Sequence, residues 1–197
     1  AKGRLTFTSD LPSAIGGTEV VILAVGTPSA PDGAVDMQWI DAAAEQVAQA
    51  ITSYTVIVTK SPVPVGTYKR IADIVASATN VEFDYVSNPE FMKEGAAVGD
   101  FMKPDRIILG LEGDRGLQIM RHLYAPFMRR GDRILVMDPA SAELTKYACN
   151  AMLAASHQPK KKPAMARASR SCVEECSRSG CKARRRAAKQ VRCPCRI

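Results

Sequence analysis

Glu19-Val20-Val21-Ile22-Leu23-Ala24-Val25 runs straight into Gly26-Thr27-Pro28-Ser29. After Glu19 the run is apolar, rich in β-branched residues and without alternation. That pattern predicts a strand buried on both faces, as in a parallel sheet. The loop after it is built from turn residues. The same arrangement recurs downstream. Thr55-Val56-Ile57-Val58-Thr59 is a second buried run, and it halts at Lys60-Ser61-Pro62-Val63-Pro64-Val65-Gly66, where two prolines forbid a further ladder. Residues 83–86, 106–110 and 133–137 supply three more runs of strand length.

Between these runs the period changes to that of a helix. Asp36 stands at the capping position of a helix over 37–51, with Ile40, Ala43, Ala44, Val47 and Ala48 on one face. Further helices are predicted over 67–78, 114–124 and 140–155. The last has Asp138 or Ser141 near its start and Leu144, Tyr147, Ala148, Ala151 and Met152 as its apolar face. Ahead of the first buried strand, residues 5–8 alternate and predict a short strand. Ser9 or Asp10 then caps a short helix with Pro12 in its first turn, broken at Gly16-Gly17. Strand and helix in alternation, joined by connections of a few residues, predict an α/β chain with a doubly wound parallel sheet. No G-x-G-x-x-G occurs, so a dinucleotide-binding reading places the phosphate turn ahead of residue 1, which is Ala and not Met.

The net charge of +7 hides two unlike pieces. Residues 1–158 carry 14 Lys and Arg against 18 Asp and Glu, a net of −4; residues 159–197 carry 13 against 2, a net of +11. The second piece has no Phe, Trp, Tyr or Leu, so it has little with which to bury a core and is expected to be a disordered basic tail. Five of the six cysteines lie there, leaving Cys149 in the first piece, which suits a reducing, cytoplasmic setting. Cys172, Cys176, Cys181, Cys193 and Cys195 form no C-x-x-C pair, so no metal site is expected. Lys160-Lys161-Lys162 and Arg184-Arg185-Arg186 would attract any polyanion, but without aromatics to stack on bases they do not predict specific nucleic-acid binding. No apolar run reaches the 18 residues of a membrane span. His122, His157 and Trp39 stand alone and read as surface or packing residues.

Three loops follow three buried strands: Gly26-Thr27-Pro28-Ser29, Lys60-Ser61-Pro62-Val63-Pro64, and Ser87-Asn88-Pro89-Glu90. In a parallel sheet all three fall at the carboxyl edge, where an open α/β sheet holds its ligand. Each loop can equally be nothing more than a strand terminator. In Ser87-Asn88-Pro89-Glu90-Phe91-Met92-Lys93-Glu94-Gly95, a helical turn started by Pro89 would set Glu90 and Glu94 on one face. They would be either an acid/base pair or two solvated surface acids. Glu143, Lys146 and Asn150 share a face of the last helix. They read either as a polar site beside those carboxylates or as a solvated stripe opposite Leu144 and Tyr147.

SNPEFMKEGAAVGDFMKPDRIILG, together with VILAVGTPS, VTKSPVPVGT and ELTKYACNAML, resembles the UDP-glucose 6-dehydrogenase family, a group of nucleotide-sugar dehydrogenases that also includes GDP-mannose dehydrogenase. The resemblance covers residues 3–155 in order and spacing. It implies a Rossmann-like NAD domain, of which residues 1–139 would be the later part, and a central helix beginning over 140–156. The basic tail would be residues 157–197. It implies an NAD-dependent enzyme that oxidises the C6 alcohol of UDP-glucose to a carboxylate, through a thiohemiacetal on a cysteine. By position, Val25, Gly26, Thr27, Pro28 and Ser29 would lie along the adenosine side of NAD, with Ser61 near its nicotinamide half and Glu94 also near NAD. Glu90 would act on the water or thioester step, Lys146 would stabilise oxyanion charge, and Asn150 would hold the reacting end of the sugar. Glu90, Phe91, Met92, Lys93 and Glu94, with Lys146, Tyr147, Ala148, Cys149 and Asn150, would line the nucleotide sugar. Family members dimerise along the central helix.

Three departures from the family pattern stand out. Pro62 replaces a threonine whose hydroxyl positions the reactive water, and proline has neither a hydroxyl nor an N–H. The glycine-rich phosphate turn is not in these residues. The resemblance stops after Ala155, and no cysteine lies in a G-G-x-C-F-P-K-D stretch like that of the family nucleophile. The tail is therefore expected to be a shifted reading frame or an unrelated fusion, and the chain alone to be inactive. The rival expectations are a non-catalytic α/β module whose tail binds polyanions, and a dehydrogenase of GDP-mannose.

Overall fold

A computed structural model of the chain describes residues 3–92, 95–128 and 131–156. In chain order the elements are α1 (Leu11–Ile15), β1 (Val20–Leu23), α2 (Gln38–Ala50), β2 (Thr55–Thr59), α3 (Thr67–Ala78) and β3 (Phe83–Ser87). They continue with α4 (Ala97–Met102), β4 (Ile107–Gly110), α5 (Asp114–Tyr124), a 3-10 turn (Ala125–Phe127), β5 (Ile134–Met137) and α6 (Pro139–Ser156).

The strands form one sheet in the order β1-β2-β3-β4-β5. β2 lies between two partners and buries all five of its residues. Its side chains alternate between two cores. Ile57 joins Ile40, Val47, Ile71 and Val75 beneath α2 and α3, while Val56 and Val58 join Leu109, Met120 and Tyr124 beneath α5. Helices on both faces of the sheet make it doubly wound, as the alternation predicts.

The predicted all-parallel sheet is corrected at one junction. β1–β2, β2–β3 and β4–β5 are parallel, but β3 meets β4 antiparallel through Ser87 and Gly110. A parallel return needs a crossover element that spans the sheet. The connection after β3 carries only the six-residue α4, which buries none of its residues, so the chain re-enters from the edge where it left. Gly110 makes room for what lies above it. A Cβ there would stand 2.5 Å from the Ala142 Cβ and 2.8 Å from the Pro139 Cα, so the start of α6 sits directly on the end of β4.

Four other expectations change. Residues 5–8 form no strand, and Leu5 and Phe7 are 75% and 89% exposed, with no strand among the described residues pairing them. β1 is an edge strand with one buried face: Val21 and Leu23 are buried but Ile22 is exposed. Pro89 starts no helical turn; residues 88–92 are irregular, so no shared helical face carries Glu90 towards Glu94, which lies outside the described residues. On α6 the buried residues are Pro139, Ala142 and Glu143, whereas Leu144, Tyr147 and Met152 are exposed. The inward face of α6 is chosen by Ala142 against Gly110 and by hydrogen bonds to Glu143, which leaves the apolar stripe outside.

Capping follows the sequence at α1 and α6 but not at α2. The Asp10 carboxylate accepts from Ser13 N in α1, and Asp138 accepts from Ser141 N at the start of α6. At α2 the expectation is corrected: Met37 is the N-cap and makes no side-chain capping bond, while Asp36, one residue earlier, accepts from Gln38 N at 3.0 Å; the apolar face of α2 is buried at Ile40, Ala44, Val47 and Ala48.

Candidate functional site

β1, β2 and β3 are parallel, so the loops after them gather at one carboxyl edge, and hydrogen bonds join them. Ser61 Oγ donates to the Val25 carbonyl at 2.6 Å, and Thr27 Oγ1 donates to the Pro62 carbonyl at 3.0 Å. Lys60 N donates to the Leu23 carbonyl, and Asn88 N to the Thr59 carbonyl, both at 2.9 Å. Ser61 is buried, while Gly26, Pro28, Ser29 and Pro62 are exposed and Val25 and Thr27 half-buried. Both hydroxyls spend their proton on a neighbouring loop and keep lone pairs to accept with. A Cβ added at Gly26 would meet nothing within 4 Å, so that rim is open to a ligand. These features fit the outer side of an extended cofactor laid across the strand ends.

α6 brings a cation to the same edge. Lys146 Nζ donates to the Glu90 carbonyl oxygen at 2.6 Å. The bond is to the main chain, so the Glu90 carboxylate stays available. The Lys146 ammonium lies 5.5 Å from the centre of the Phe91 ring, and the Arg106 guanidinium lies 4.9 Å from it. Each cation is favoured by the quadrupole of the ring. The structure thus brings Glu90, Phe91 and Lys146 together, through the main chain of Glu90 and not its carboxylate. Tyr147, Ala148 and Asn150 are exposed on α6, with Asn150 one turn beyond Lys146, and the Cys149 thiol is free and half-buried. Met92 is half-buried, while Lys93, Glu94 and His157 lie outside the described residues.

Sequence reasoning missed a buried polar network beneath Glu90. Asn88 is 2% exposed. Its Oδ1 accepts from Tyr124 OH at 2.5 Å and from Lys60 Nζ at 3.3 Å, and its Nδ2 donates to the Ile108 carbonyl at 2.8 Å. Burial pushes the Tyr124 phenol up to about 12. Burial also pulls the Lys60 ammonium below the usual lysine range, a shift that the Glu90 carboxylate opposes and Lys146 reinforces. A cavity of about 100 Å³ opens between Lys60, Glu90, Phe91, Phe101, Arg106 and Tyr124. Ligand pockets run from about 300 Å³ upward, so this space suits a few waters and not a nucleotide. One signal could have found the network: Tyr124 follows Gly116 and Met120 at helical spacing on the buried face of α5.

Glu143 also differs from a solvated stripe. It is 2% exposed, and its carboxylate accepts from Gly66 N at 2.6 Å and Tyr68 N at 2.8 Å. Burial raises its pKa, against the backbone N–H groups of Gly66, Tyr68 and Thr67, which lower it. Among the described residues no cluster of three or more His, Cys, Asp or Glu could hold a metal, and no helix is long and apolar enough to cross a membrane.

Comparison with known proteins gives a consistent picture. Residues 1–128 match the model of the UDP-glucose/GDP-mannose dehydrogenase family, NAD binding domain. The chain is 43% identical over 156 residues to a UDP-glucose 6-dehydrogenase of Pseudomonas aeruginosa, covering 77% of this chain and 34% of that protein. It is 44% identical over 159 residues to one of Rhizobium meliloti, covering 78% and 36%. The fold is similar to that of a UDP-glucose dehydrogenase from Pyrobaculum islandicum, with a TM-score of 0.72 and 41% identity over 77% of this chain and 36% of that one. A GDP-mannose dehydrogenase from Pseudomonas aeruginosa gives a TM-score of 0.69 and 27% identity over 78% and 36%. The chain thus spans about a third of the length of the curated relatives it matches.

Proposed function

The chain belongs to the UDP-glucose/GDP-mannose dehydrogenase family, in whose NAD binding domain its residues 1–128 lie, and from that we propose that it forms the cofactor-side part of a UDP-glucose 6-dehydrogenase. The observation that carries the reading is the 2.6 Å bond from Lys146 to the Glu90 carbonyl, made beside the linked hydroxyl loops at the carboxyl edge. UDP-glucose is favoured over GDP-mannose because identity is 41–44% to proteins named for the first sugar nucleotide and 27% to one named for the second.

The residues present fit NAD along the rim from Val25 to Ser29 and at Ser61. Bound there, NAD would accept hydride from the C6 carbon of the sugar. Three of the chain's own groups would act on the sugar beside it. The Lys146 ammonium is held in place by Glu90 and Phe91, and a fixed ammonium stabilises alkoxide charge as it develops. The Glu90 carboxylate, not engaged by Lys146, can take a proton from the sugar hydroxyl or from water. Asn150 would hold the reacting end of the sugar, and the segment 90–94 would line the nucleotide, with Glu94 also near NAD. The outward stripe of Leu144, Tyr147 and Met152 supports dimerisation along this helix, and NAD chemistry beside a free Cys149 suits the cytoplasm.

No nucleophilic cysteine motif of the family type occurs in these 197 residues, so we expect cofactor binding without turnover. Calorimetric titration with NAD, then with UDP-glucose and GDP-mannose, tests the reading. Saturable NAD binding and a preference for UDP-glucose are expected, with no NADH formed. Failure to bind NAD would overturn the cofactor reading, and clear NADH production would overturn the expected inactivity.

A further inference from the structure

Gly66 begins α3 in the left-handed region, at φ +96°, and has no side chain with which to cap the helix. The first N–H groups of a helix need acceptors, and its N-terminus favours negative charge. The acceptor comes from 77 residues away. Both Glu143 oxygens are used, Oε2 by Gly66 N and Oε1 by Tyr68 N. Glu143 lies on α6 one turn before Lys146. Gly66 closes the loop that starts at Lys60 and carries Ser61. One buried carboxylate thus ties the hydroxyl loop to the lysine helix.

We propose that Glu143 is a positioning residue that clamps the Lys60 to Gly66 loop onto α6, so that Ser61 and Lys146 hold one mutual register. The functional meaning of the clamp rests on the reading above, while its existence is testable separately. Among the described residues, the titratable groups that face Glu143 are Tyr85 on β3 and Tyr147 on α6, and its carboxylate pushes the pKa of each further up. Both stay neutral at ordinary pH. Burial favours the protonated acid of Glu143, while the N–H groups of Gly66, Tyr68 and Thr67 favour the carboxylate, so the clamp bonds themselves are made to its ionised form.

Amide hydrogen exchange of the full chain, read by NMR at Gly66 and Tyr68 against Ile57 and Val58 in β2, tests the clamp. Glu143→Ala should speed exchange at Gly66 and Tyr68 by about tenfold or more over the β2 amides. It should also move the Nζ resonance of Lys146. Equal acceleration everywhere, or an unmoved Lys146 signal, would overturn the proposal. Should Glu143→Ala not fold, Glu143→Gln keeps the test open. Its amide NH2 cannot accept, so at least one of Gly66 and Tyr68 should exchange about tenfold or more faster relative to the β2 amides. Unchanged relative exchange at both amides would overturn the clamp. A chain that shows the clamp but binds no NAD would refute the functional reading alone.

Discussion

Lys146 and Glu90 are 56 residues apart and meet ammonium to carbonyl at 2.6 Å. The contact fixes where α6 places its charge relative to the loop after β3. Replacing Lys146 with Met removes the donor but keeps most of the stem. The bond is only part-buried, so the stability cost should be about 0.5–1.5 kcal/mol, the net worth of one hydrogen bond. Urea denaturation of the two proteins measures it. A loss well beyond that range would mean that Lys146 supports the fold more than the site.

Asn88 is a stronger case, because three groups depend on it. Asn88→Leu leaves Tyr124 OH, Lys60 Nζ and the Ile108 carbonyl without their partner. The expected destabilisation is about 2–4 kcal/mol, since stranded buried polar groups cost more than the bonds gained on making them. The same denaturation experiment measures it, and a change under 1 kcal/mol would show that the network is dispensable.

Gly110 tests the seating of α6. Gly110→Ala drives a methyl into Ala142, and overpacking of this kind costs about 1–3 kcal/mol. Ala142→Gly in the Gly110→Ala background should recover part of that loss, because the two sites share one contact. Additive effects in the double variant would contradict the close approach. Gly116 makes a parallel point: its N–H donates to Asp84 Oδ2 at 2.8 Å, and a Cβ there would lie 2.8 Å from the same oxygen.

Glu143 has a folded pKa raised above its ordinary 4.5, chiefly by burial. The sign follows from proton linkage. The folded chain holds this proton more tightly than the unfolded chain, so the contribution to stability is full below pH 4.5. It is lost as pH rises through the folded pKa. Glu143→Gln should remove that slope from the stability profile between pH 4.5 and 7 and leave the other carboxylates' contributions. Parallel profiles would contradict the raised pKa.

The sequence reveals elements where one period dominates. β2 and α3 fall on the residues predicted, 55–59 and 67–78, and α5 on 114–124. It misleads where a long-range contact overrides the local pattern. The apolar stripe of α6 predicts an inward face, but Gly110 and the α3 amides select Ala142 and Glu143 instead. Pro89 predicts a helical turn, but Asn88 is spent on Lys60, Tyr124 and Ile108, and the chain stays irregular. Glu90, Lys146 and Ser61 are picked out because family motifs carry them, and all three lie at the carboxyl edge. Asn88, Tyr124 and Glu143 are not, because their roles rest on partners 20 to 77 residues away.

The most direct test of a cofactor edge at the ends of β1, β2 and β3 is an NMR titration of the chain with NAD, followed amide by amide. Shifts confined to Gly26, Thr27, Ser29 and Ser61, with smaller ones at Glu90 and Phe91, are predicted. Shifts absent there, or gathered around Tyr54, Asp84 and Arg115 at the opposite edge of the sheet, would contradict it.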